Sequence, residues 1–159
     1  MGFLDNLLGK APSQTPSEEL TASLASLDPA LGRAWSAYLL NKARMGVLSR
    51  EASEHYQMVK SHDRNNQTRA IEPYFREALA LLENQRRLLV EMADLSKKRK
   101  FRMAKELGSC VQQIKHTEDT LRRIASATND PAINRLQGMN DTLVHHRSME
   151  LSVLLPCLR

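Results

Sequence analysis

Ile71, Tyr74, Ala78, Leu81, Gln85, Leu88, Met92 and Leu95 follow one another at alternating spacings of three and four residues. A helix turns about 100° per residue, so these side chains share one face. The alternation is a coiled-coil a/d pattern with one polar core position, Gln85, a residue that sets register at a cost in stability. A strand cannot use such a stripe, because its side chains change face with a period of two.

The stripe lapses at Arg99 and Arg102. It resumes at Met103, Leu107, Cys110, Ile114, Thr117, Leu121 and Ile124, one residue out of register. The extra residue turns the apolar face by roughly 80°. Ser96 to Lys100 contains no Gly or Pro, so one helix is expected to run through it, from near Pro73 to Thr128. Such a helix is about 80 Å long at 1.5 Å per residue. It outgrows a compact domain, so one end should project or pair with another chain. The pairs Glu72–Arg76, Glu83–Arg87, Glu118–Arg122 and Asp119–Arg123 stand acid-first at i, i+4 and are each expected to add a few tenths of a kcal/mol.

Composition agrees with a helical chain. Leu occurs 24 times and Ala 16 times in 159 residues, against ten Val and Ile together and 4% aromatics. Leu and Ala lose little freedom in helices, whereas strands draw on β-branched and aromatic side chains. Asp28-Pro29 and Asp130-Pro131 each set a capping carboxylate before a proline at the first helical position. The first predicts a helix to about residue 61, weakened near Gly46, and the second a helix that stops before Pro156. Asp63 to Gln67 reads as a turn. A further helix is expected from Glu18 and Glu19, whose charges suit a helix N-terminus.

Phe3, Leu4, Leu7 and Leu8 form one face of a short amphipathic helix, and residues 11–17 follow as a polar linker with two prolines. The expected organisation is therefore an N-terminal amphipathic segment (1–10), a flexible linker (11–17), a helical domain (18–155) and a short tail (156–159). The fold class is all-α: an elongated helical bundle or hairpin with a long coiled-coil-like helix and a detached N-terminal helix.

Residues 69–128 hold 13 basic and 8 acidic side chains, so the net +5 of the whole chain resides there. Lys97, Lys98, Arg99, Lys100 and Arg102 concentrate it. Such a cluster suits an anionic surface, either lipid headgroups or nucleic-acid phosphates. Phe101 alone interleaves with the cations, and no helix-turn-helix or zinc pattern accompanies them, so nucleic acid is the weaker alternative.

Motifs for catalysis are missing. No Glu-x-x-His pair or HExxH stands among the five histidines, and the six glycines never cluster into a phosphate-cradling loop. Cys110 and Cys157 match no metal or redox spacing. The N-terminus lacks a secretory pattern, and no apolar run nears the ~18 residues of a transmembrane helix. The expectation is a non-enzymatic scaffold or adaptor in the cytoplasm, with no catalytic residue, metal, cofactor or small-molecule substrate. It would act by self-association or by binding a protein partner. Phe3, Leu4, Leu7 and Leu8 could also attach it to the inner face of a membrane.

Overall fold

The computed structural model describes residues 16–59 and 64–159. Within them lie five α-helices: α1 (Pro16–Leu27), α2 (Pro29–Met58), α3 (Arg64–Lys98), α4 (Ala104–Thr128) and α5 (Pro131–Leu154). A 3-10 turn, Leu155–Leu158, closes the chain, and there is no strand among the described residues. The N-terminal stripe of Phe3, Leu4, Leu7 and Leu8 lies outside the described residues.

The two Asp-Pro boundaries form helix starts as their chemistry requires. Asp28 Oδ1 accepts from the Ala30 amide at 2.9 Å, and Asp130 Oδ1 accepts from the Ala132 amide at 2.8 Å. Each caps an amide that the helix itself leaves without a partner. Asp28 is also the single residue between α1 and α2. There Gly32 approaches α1 so closely that a Cβ would stand 2.7 Å from the Cα and Cβ of Ala25.

The expected unbroken helix from Pro73 to Thr128 ends at Thr128, but it begins earlier and is broken in the middle. α3 begins at Arg64, inside the segment read as a turn, and passes through Pro73. It then stops at Lys98, and α4 returns against it as a hairpin. The stop is a Schellman motif. The Phe101 amide donates to the Ser96 carbonyl at 2.9 Å and the Lys100 amide to the Lys97 carbonyl at 3.1 Å. Lys100 takes the left-handed conformation, φ 55°, at the position where glycine is usual. Lys97 and Lys98 in the last turn favour this end, because cations offset the negative pole of the helix. Ser96 and Met103 are fully buried on the two sides of the turn, the Ser96 hydroxyl donating to Met103 Sδ at 3.0 Å.

α3 is the central element, packing against α2, α4 and α5, while the backbone of α1 comes close to α2 alone among the described helices. Its burial explains why. Ala78, Gln85, Leu88 and Met92 of the heptad stripe are buried, but so are Phe75, Leu82, Arg86, Leu89 and Ala93 on the adjoining face. A stripe this broad belongs to a helix enclosed on several sides, whereas a two-stranded seam needs only a and d. At the other end of the chain, the 3-10 turn seats Leu158 against α3 and α4, 3% exposed.

The core has a polar centre. Arg86 Nε donates to Glu118 Oε1 at 3.0 Å, and another guanidinium nitrogen donates to Asn140 Oδ1 at 2.6 Å. α3, α4 and α5 are thereby joined at one side chain that is 1% exposed. Of the four expected i, i+4 pairs, Glu72–Arg76 forms at 2.9 Å. The other acids are engaged differently: Glu118 turns inward to Arg86, Glu83 meets Arg86 and Arg147, and Asp119 meets Arg122.

Candidate functional site

α2 and α4 both lie on α3, but their backbones stay more than 8 Å apart. Between them lie the buried side chains of Tyr38 on α2 and Cys110 on α4, close enough to interact. Burial raises the pKa of both groups, so this junction is uncharged. Past it, towards the C-terminal ends of α2 and α4, an open trough follows.

The trough has a volume of about 520 Å³. Its floor is α3, through Ile71, Tyr74, Phe75 and Ala78; Met45, Leu48, Ala52 and Tyr56 form the α2 wall, and Leu121 and Ile124 stand on the α4 wall. Ser49, Ser53, His116 and three threonines also line it, and the threonines turn their hydroxyls to their own helix. The hydroxyls of Thr117, Thr120 and Thr128 donate to the carbonyls of Gln113, His116 and Ala125, at 3.1, 3.0 and 3.3 Å. A threonine whose hydroxyl is occupied by its own helix offers mainly its methyl group.

Polar links hold α2 on α3 beside the trough. Arg44 Nε donates to Glu77 Oε1 at 2.8 Å, with Glu51 also within ion-pair range at 3.9 Å. His55 Nδ1 lies 3.0 Å from the Tyr74 hydroxyl, its ring edge-on to the tyrosine. The apolar strip is therefore bordered by satisfied charges. A small-molecule site of this size ordinarily adds a few convergent polar groups that fix orientation. The trough instead offers a long apolar face, suited to the ridge of a helix.

Ile71, Tyr74 and Ala78 are the part of the heptad stripe that reaches this trough, and Gln85, Leu88 and Met92 are enclosed farther along α3. Leu81 and Leu95 are half-buried against the core. The α2 and α4 contributors carried no motif in the sequence. Their signal was spacing alone, Leu121 and Ile124 having been read as core.

The basic cluster surrounds the α3–α4 turn, at the opposite end of α3. Lys97, Lys98, Arg99, Lys100 and Arg102 are all exposed. Two of them have partners: Lys98 Nζ pairs with Asp94 at 3.0 Å and Arg99 Nε with Asp28 Oδ2 at 2.8 Å. The guanidinium of Arg99 and the amide of Ala30 hold the Asp28 carboxyl below its ordinary pKa. Part of the cluster thus serves the fold by fastening the turn to the α1–α2 joint.

Among the described residues, no group of three or more His, Cys, Asp or Glu is placed to hold a metal ion, and no helix is long and apolar enough to cross a membrane. The sequence matches no protein-family profile, and no curated protein or solved structure is significantly similar to it.

Proposed function

We propose that the chain is a non-enzymatic helical adaptor that receives an amphipathic helix of a protein partner in the trough between α2 and α4. The observation that carries this reading is the trough's apolar floor and walls, open between α2 and α4, whose Cα atoms stay more than 8 Å apart. A fourth helix laid along α3 there would give the open end the packing of a helix bundle. Leu and Met side chains at i, i+3, i+4 and i+7 of the guest would meet Met45, Ala52, Ile71 and Ile124. The elongated bundle envisaged for the chain suits an adaptor, with a docking trough at one end and a basic turn at the other. Nucleic acid is the less favoured partner, because Asp94 and Asp28 already engage two of the five cations in the basic cluster.

The test uses a photo-crosslinking residue at Ala52, with Met139 on the exposed side of α5 as control. The expected adduct forms at Ala52, maps to an amphipathic helix, and is lost with Ile124→Asp. That helix, made as a peptide, should bind the protein with the same sensitivity. Adducts of equal yield at Ala52 and Met139, or a peptide indifferent to Ile124→Asp, would defeat the reading.

A further inference from the structure

The α3–α4 turn carries more positive charge than the fold can use. Lys97 and Lys98 suit the negative pole of α3, and Arg99 holds Asp28, so these three cations contribute to folding. Lys100, Arg102 and Lys105 do not. All three are exposed, and their side chains have no ion-pair or hydrogen-bond partner among the described residues. Lys100 occupies a left-handed position that glycine would fill without strain. Lys105 stands in the first turn of α4, at the positive pole, where a cation is unfavourable. Local rules broken without a gain to the fold point to a functional surface. We propose that this end of the bundle seats the protein on an anionic lipid membrane.

The fold gathers the charge from separate parts of the chain. The bond from Arg99 to Asp28, 2.8 Å, fixes the α1–α2 joint beside the α3–α4 turn. Arg33, exposed one turn into α2, therefore joins Lys97, Lys100, Arg102 and Lys105 at the same end. Asp28 and Asp94 are already engaged by Arg99 and Lys98, and Glu106 in the first turn of α4 offsets one charge. About four surplus cations remain, enough to hold a protein on anionic lipid, where each strengthens binding about fivefold.

The shape of this end favours lipid over nucleic acid. It consists of turns and helix ends, with no helix or strand among the described residues free to enter a groove. Phe101, the aromatic residue of the turn, is half-buried against the core and gives no stacking platform. Attraction to a lipid surface needs neither, since it depends on how many cations lie near it. Seated this way, the chain holds its trough away from the membrane. Ala78 and Lys98 lie about 30 Å apart along α3 at 1.5 Å per residue. The membrane surface goes beyond the adaptor reading and does not depend on it.

The test is co-sedimentation of the full chain with vesicles of phosphatidylcholine, alone or with about 30% phosphatidylserine. One variant combines Lys100→Gly, Arg102→Gln and Lys105→Gln. A control of equal charge, Arg50→Gln, Lys115→Gln and Arg123→Gln, removes exposed cations elsewhere. Binding is expected to the phosphatidylserine vesicles alone, weakened roughly 100-fold in the first variant and less than about threefold in the control. Lys100→Gly by itself, which favours the fold, should weaken binding about fivefold. No binding to the anionic vesicles overturns the proposal. So does equal loss in the two triple variants, which would leave only net charge, or unchanged binding by Lys100→Gly. Duplex DNA that strips the protein from the vesicles at equal phosphate concentration would assign this end to nucleic acid and overturn the lipid assignment.

Discussion

Arg86 and Glu118 form an ion pair in the middle of the bundle, 3.0 Å apart, joining α3 to α4 where water is excluded. Their positions are 32 residues apart in sequence. The pair exists because the α3–α4 turn brings the two helices back together. It also constrains them, since sliding either helix by one turn would leave two buried charges apart.

Removing one partner should therefore be far worse than removing both. Glu118→Ala is expected to cost about 3 kcal/mol, because the buried Arg86 would lose its hydrogen-bonded carboxylate and keep only Glu83, 3.6 Å away. The Arg86→Met, Glu118→Leu double variant should recover most of that loss. Urea unfolding of the three proteins checks this, and a double variant no more stable than Glu118→Ala would contradict it.

Lys100 pays for its left-handed backbone. Lys100→Gly should raise stability by about 1 kcal/mol, since glycine meets no Cβ penalty there and glycine is the usual occupant of that Schellman position. The melting temperature should rise by a few degrees, about 2–4 °C for a chain of this size. Lys100→Val should move in the other direction, because a β-branched side chain is a poor fit at positive φ.

Acid should act through Asp28. Its folded pKa is depressed by Arg99 and by the Ala30 amide, so its contribution is full above the unfolded value of about 3.9. That contribution fades as pH falls through the lower, folded pKa. Asp28→Asn should lower stability at pH 7 and flatten the decline measured between pH 5 and pH 2. An unchanged slope in that range would rule out Asp28 as a source of acid sensitivity.

The two thiols should separate cleanly. Cys110 is buried and its pKa is raised, whereas Cys157 is exposed. A water-soluble disulfide reagent at pH 8 should titrate one thiol in the native protein and two in denaturant, because the thiolate is the reacting form. Cys157→Ser should remove the native signal, and Cys110→Ser should leave it.

Local chemistry made part of this architecture readable. Asp28-Pro29 and Asp130-Pro131 carry their cap and first helical residue side by side, and both helices begin there. The α3–α4 turn was hidden because a lysine stands at its left-handed position and no Gly or Pro marks it. The run of cations that looked like a binding patch also favours the end of a helix. Arg86 was hidden for another reason. It sits next to Gln85, one step off the heptad stripe, and its burial depends on Glu118 and Asn140, which only the folded chain brings near. The trough has no local signature at all. It arises from a separation between α2 and α4, and a gap between two helices leaves no spacing in either one.

The contact of Tyr38 with Cys110 gives that gap one closed end. Both groups are buried there, whereas Tyr56, farther along the trough, is exposed. Water therefore reaches the groove from one direction, and the limit of its reach is set by two side chains that stand far apart in the sequence.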